Sequence, residues 1–121
     1  MRHITGNLLR GHLDTMVLSM LSKGETHGFE IIRRLEEAGN GSLKLKEGTL
    51  YPILYRLEKE GLVEACWEDG TTRHRGPRRR VYRIVNKGKR ELKGRRKQWR
   101  EFVKVIGDIV EVPSCKHLKS T

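Results

Sequence analysis

The sequence predicts a mainly α fold with a small β-hairpin, and three observations carry that expectation. Apolar residues recur at helical spacing in four separate stretches. Two alternating, β-rich segments face each other across a turn-forming stretch after Trp67. The 121 residues include 26 Lys and Arg against 15 Asp and Glu, a formal charge of +11.

Leu8, Leu9, Leu13, Met16, Val17, Met20 and Leu21 form the first stripe and predict a helix over 7–22. His12 and Asp14 sit among them and read as a surface pair, because no nucleophile or third group accompanies them. Lys23-Gly24-Glu25 interrupts the pattern. Thr26 is the expected N-cap of a second helix over 27–38, with Phe29, Ile31, Ile32 and Leu35 as its apolar residues. Asn40 and Gly41, both tolerant of positive φ, end it. Residues 39–46 make a short connection.

The third helix is expected over 49–60. Leu50, Ile53, Leu54 and Leu57 mark one face at i, i+3, i+4, i+7. Gly48, Pro52, Tyr55 and Lys59 fall on the opposite face, flanked by Tyr51 and Arg56. That front carries phenols and cations rather than mixed charge, which suits an anionic partner. Pro52 is expected in the first turn, where its missing donor is not needed, so the helix should begin near 48–49. Gly61 stops it.

Val63, Ala65 and Trp67 alternate with Glu64, Cys66 and Glu68, as in a half-buried strand, and Val81–Val85 forms the second strand. Asp69-Gly70 and Gly76-Pro77 punctuate the loop between them. Arg73, Arg75, Arg78, Arg79 and Arg80 place five arginines within eight positions. Such a run repels itself unless a polyanion relieves it. Asn86 is the expected N-cap of a last helix over 87–110. Leu92, Trp99, Val103, Ile106 and Val110 line one face of that helix, with Phe102 and Ile109 to one side and Arg95 and Arg96 intruding. Such a face needs a cover, supplied either by the first helix or by a second copy of the chain.

Helix, helix, helix, hairpin and long helix is the order of a winged helix-turn-helix followed by a long C-terminal helix. Residues 1–85 are expected to form the winged part, 86–112 the long last helix of the same compact unit, and 113–121 a frayed tail. In this architecture the third helix enters the major groove of double-stranded DNA and the wing reaches backbone or minor groove. Lys46, Gly48, Thr49 and the amides at the helix start are the candidates for phosphate. Tyr51, Pro52, Tyr55, Arg56 and Lys59 form the surface offered to base edges and flanking phosphates. The wing arginines add phosphate and minor-groove contacts.

The charge excess favours nucleic acid over an anionic membrane. No stretch approaches the roughly 18 apolar residues of a membrane span, and no signal-peptide pattern opens the chain, so a cytoplasmic protein is expected. Cys66 and Cys115 are expected as free thiols. Cys115 and His117 lack a second ligand pair, so no metal or other cofactor is expected. No triad, phosphate loop or paired-carboxylate cleft suggests an enzyme. A non-specific nucleic-acid-binding module and a winged-helix protein-interaction adaptor remain the alternative classes. The aromatic content of 6% weighs against extensive base stacking.

Several motifs in order resemble the PadR family of bacterial transcriptional regulators. They are Leu8-Leu9-Arg10-Gly11-His12-Leu13-Asp14, His27-Gly28-Phe29-Glu30-Ile31, Glu47-Gly48-Thr49-Leu50-Tyr51-Pro52 and Leu57-Glu58-Lys59-Glu60-Gly61-Leu62-Val63, followed by Arg79 to Tyr82 and Gly88. The resemblance covers about residues 8–110. It implies a homodimer that usually represses transcription, with the dimer contact on the last helix, as in the small single-domain subgroup. Trp99 matches a position where a member of that subgroup pairs indoles across the dimer axis around flat hydrophobic drugs. A small aromatic effector is therefore a candidate ligand, with plain dimer core as the competing role of Trp99. Phe29 departs from the common tyrosine, and Asn86-Lys87 from the usual Thr-Pro.

Overall fold

A computed structural model of the chain describes residues 11–68 and 79–111. The first helix, α1, spans Leu13–Leu21. Gly11 has φ +87°, so a helix over 7–22 is not continuous through residue 11. Leu8, Leu9 and the rest of 1–10 lie outside the described residues. Val17, Met20 and Leu21 are buried, as their spacing predicts, and Leu18, outside the predicted stripe, is buried with them.

A two-residue strand, β1 (Thr26–His27), comes next, then α2 (Gly28–Ala38). Thr26 is therefore not the N-cap. His27 occupies that place without a side-chain cap, because Thr26 is drawn into the sheet opposite Tyr82. The end of α2 is as expected. Asn40 adopts φ 52°, and the amides of Asn40 and Gly41 bond to the carbonyls of Glu37 and Glu36. This pattern satisfies two helix-end acceptors with an asparagine in the left-handed position.

The third helix, α3, spans Glu47–Lys59 and starts one to two residues earlier than Pro52 suggested. Pro52 thus sits in the second turn rather than the first. The acceptor it leaves without a donor is the carbonyl of Gly48, an exposed residue that water can reach. Leu50, Ile53, Leu54 and Leu57 are all buried, so the helix faces the way its periodicity indicates. Gly61 has φ 77°, and the amides of Gly61 and Leu62 bond to the carbonyls of Glu58 and Leu57, repeating the helix-end arrangement of α2.

Strands β2 (Val63–Trp67) and β3 (Arg80–Ile84) pair antiparallel, with Val63 opposite Ile84 and Trp67 opposite Arg80. With β1 added, the sheet has three strands in the order β1-β3-β2, not the two of a simple hairpin. The alternation of β2 fades along its length. Val63 is buried, but Trp67 is 52% exposed, because the strand has run past the core.

The last helix, α4, spans Asn86–Val110, with Val85 in the N-cap position. Asn86 is the first helical residue rather than the cap. The turn is so tight that Val85 donates to Leu62 O at 3.1 Å and a β-carbon on Gly88 would stand 2.1 Å from the same oxygen.

One apolar cluster joins α1, α2, α3, the 43–45 connection, the sheet and Leu92. Leu92 is 2% exposed within this cluster, so it belongs to the core of its own chain and not to an open face of α4. The next turns of α4 also lie on α1. Arg95 donates to the hydroxyl of Thr15, and Arg96 to those of Ser19 and Ser22. Beyond them the helix leaves the core. Trp99, Phe102, Val103, Ile106, Ile109 and Val110 are each at least two-fifths exposed. The predicted tail 113–121, with Cys115 and His117, lies outside the described residues.

Candidate nucleic-acid interface

The apolar row of α3 is fixed to the core, so the opposite row is fixed outward. Lys46, Gly48, Thr49, Tyr51, Pro52, Tyr55, Arg56 and Lys59 are all exposed. Lys46 is the N-cap and provides no side-chain cap, which leaves the first amides of the helix without that partner. A β-carbon on Gly48 would meet no atom within 4 Å, so the backbone is approachable there. The carboxylate of Glu47 shares this first turn and limits its appeal to an anion.

The two tyrosines differ. Tyr55 is 64% exposed. Tyr51 is less open, 42% exposed, its ring lying over the start of α2 so closely that a β-carbon on Gly28 would be 2.5 Å from its Oη. Burial pushes its phenol above the ordinary value, and the nearby Glu47 carboxylate adds to that effect.

Two arginines expected at the interface are held by carboxylates. Arg56 Nη2 donates to Asp14 Oδ1 at 2.8 Å, tying α3 to α1. Asp14 is thus committed to Arg56, while His12 lies edge-on against Trp99 at 5.2 Å, so the two are not a pair with each other. Arg80 Nη2 donates to Glu58 Oε2 at 3.0 Å. Its Cζ lies 6.0 Å from the ring centroids of both Trp67 and Tyr82. Arg79 Nη1 donates to His27 Nε2 at 3.2 Å, which puts the imidazole proton on Nδ1, an atom with no partner among the described residues. Arg73, Arg75 and Arg78 lie outside the described residues.

Together the start of α2, the start of α3 and the base of the wing enclose an open notch of about 540 Å³, lined by His27, Gly28, Phe29, Tyr51, Trp67, Arg79, Arg80 and Tyr82. Sequence reasoning missed His27, Phe29 and Trp67 as members of this surface. Periodicity assigns Phe29 to the apolar side of its helix, yet it is 67% exposed. Only the register that sets Trp67 opposite Arg80 reveals the tryptophan's position, and periodicity cannot supply it. Among the described residues no group of His, Cys, Asp or Glu could hold a metal ion, and no helix is long and apolar enough to cross a membrane.

The open α4 face is aromatic at its near end. Trp99 and Phe102 stack with centroids 5.9 Å apart and planes 25° apart, and His12 adds its edge. The expected residues Trp99, Phe102, Val103, Ile106 and Val110 are brought together on this face, and Leu92 is not.

Three helices, a three-stranded wing sheet and an outward row of cations and phenols define a winged-helix protein of the DNA-binding transcriptional-regulator class. Comparison with known proteins makes this specific. The transcriptional regulator PadR-like family matches residues 17–94. The chain belongs to that family. A Lysinibacillus sphaericus protein described only as uncharacterized protein X is 33% identical over 108 residues, 89% of this chain and 96% of that one. A transcriptional regulator from Clostridium thermocellum has a similar structure, with TM-score 0.77 and 32% identity over 87% of this chain and 99% of that one. A PadR family transcriptional regulator from Eggerthella lenta follows, with TM-score 0.74 and 30% identity over 88% of each.

Proposed function

We propose that the protein is a homodimeric transcriptional repressor that binds an inverted-repeat operator through α3 and the arginine-rich wing. The observation that carries this reading is the unbroken exposed surface from Lys46 through Tyr51, Tyr55 and Lys59, with Arg79 and Arg80 rising beside it. Phosphate contacts from Lys46, Thr49 and the wing set the register on the duplex. Tyr51, Tyr55 and Arg56 then meet base edges or the phosphates beside them. The second copy covers the exposed α4 face, which otherwise leaves six large apolar side chains in water. A small hydrophobic or aromatic molecule slipping between the Trp99–Phe102 stacks of two copies would alter the spacing of the two α3 helices and release the operator.

Selection of duplexes from a random pool with the purified protein tests the reading. The expected product is an inverted repeat whose half-sites lie about one helical turn, or a multiple of it, apart. Absence of any enriched palindrome overturns it. Replacement of Arg78, Arg79 and Arg80 by Ala should flatten the dependence of log affinity on log salt, since fewer counterions are released. An unchanged slope removes the wing from the contact surface. Repeating the selection with flat aromatic compounds present tests release.

A further inference from the structure

Glu58 is an unexpected residue on a surface meant for DNA. It lies near the end of α3, its side chain is 30% exposed, and a carboxylate there repels phosphate. Its one ion pair among the described residues is with Arg80, the first residue of β3 and the point where the wing rejoins the sheet. Arg80 is 43% exposed, so burial does not hold it. The carboxylate takes one Nη, while the Trp67 and Tyr82 rings lie 6.0 Å from the guanidinium carbon. An arginine left loose at the foot of a wing can swing to any phosphate within reach. One clamped by a carboxylate and two rings presents its remaining donors in a single direction, and its planar fork makes that direction matter.

We propose that Glu58 is a positioning residue for operator discrimination. By holding Arg80, it fixes the wing exit to the recognition helix and withholds one mobile cation from indiscriminate phosphate binding. This role rests on the operator-binding reading above. It gives up some raw affinity for selectivity, the pattern by which a repulsive element sharpens recognition.

The test compares a duplex enriched from the random pool with a scrambled one, over a salt series. Glu58→Gln should bind the scrambled duplex more tightly, with a salt slope steeper by about one counterion. The ratio of operator to scrambled affinity should fall about tenfold, the size of one mismatched base pair. Glu60→Gln makes the same charge change on a neighbouring exposed residue and should leave the ratio alone. In an Arg80→Ala background, Glu58→Gln should add no loss of ratio. Glu58→Asp keeps the charge but shortens the reach, and should also lower the ratio. It serves as the deciding variant if Glu58→Gln melts below the assay temperature.

A rise in both affinities equal to that of Glu60→Gln reduces Glu58 to bulk charge and overturns the proposal. So does a full loss of ratio in the Arg80→Ala background. Failure to enrich any duplex overturns the operator reading and this role with it, whereas enrichment with unchanged ratios overturns the role alone.

Discussion

Tyr51 closes over Gly28. A β-carbon at residue 28 would stand 2.5 Å from the phenolic oxygen and 2.8 Å from Cζ. The glycine at the start of α2 therefore sets the angle at which the tyrosine of α3 meets the solvent. Gly28→Ala should swing the ring outward. Because Tyr51 is 42% exposed, the ring has room to move. The strain is partly offset by the better helix propensity of alanine, so stability should change by no more than about 1 kcal/mol. Operator affinity should fall about as far as in Tyr51→Ala, roughly tenfold, the loss of one specific contact. The double variant should be no worse than either single one. Binding titrations on the selected operator check this, and additive losses would separate the two residues. Tyr51→Ala should also lose operator preference more than non-specific binding.

Gly88→Ala should behave in the opposite way. Its β-carbon would meet a backbone oxygen, Leu62 O, at 2.1 Å and Ile84 Cγ1 at 2.8 Å. The backbone oxygen cannot swing aside. The start of α4 must lift off the 60–62 turn, at a cost of about 1–3 kcal/mol or more. Urea denaturation of Gly88→Ala should show a lower midpoint, while Gly94→Ala, which meets no atom within 4 Å, should match or exceed the parent.

Charge placed on the open face of α4 should separate the copies of the proposed homodimer. Ile106→Asp replaces a residue 42% exposed in the single chain, so the fold should survive. Sedimentation equilibrium should then report a monomer with an unchanged helical spectrum. A persistent dimer would move the interface elsewhere. Operator affinity should drop steeply as well, because two half-sites no longer bind as one unit.

Alkaline pH should weaken the fold through two phenols. Burial raises Tyr82, although Arg80 opposes it, and burial followed by Glu47 raises Tyr51. Each is neutral in the folded chain at a pH where the unfolded chain has already lost the proton. The stabilisation is complete below the ordinary tyrosine value of about 10 and declines as pH climbs through the raised folded values. Urea midpoints measured up the alkaline range should fall, and Tyr51→Phe should remove part of the decline.

Much of this fold is legible in the sequence because α1, α2 and α3 each bury a regular apolar row. The helix ends at Asn40 and Gly61 are legible for a local reason, the positive φ that each position needs. The misreadings share a different origin. Thr26 looks like a cap until Tyr82, 56 residues later, pairs with it in the sheet. Trp67 keeps the parity of a buried strand residue but lies beyond the point where the core ends. Leu92 shares a helical row with Trp99, yet α4 leaves the core between them. Arg56 and Arg80 read as free cations because Asp14 and Glu58 give no sign in the sequence of where their carboxylates go. Periodicity records which face is turned inward. It does not record how far the core extends or which distant residue reaches back.

Apart from the phenol of Tyr82, the core contains no buried polar or charged side chain among the described residues. Every ion pair between them lies at the surface with partly solvated partners, so each contributes little to stability. Folding and binding therefore answer to simple salts with opposite signs. Added salt screens the mutual repulsion of a chain carrying +11 and leaves the apolar interior untouched, so the melting temperature should hold or rise. The same salt strips the protein from a polyanion. A salt gradient can thus dissociate the complex while the protomer stays folded, and affinity lost across that gradient is a property of the contact surface alone.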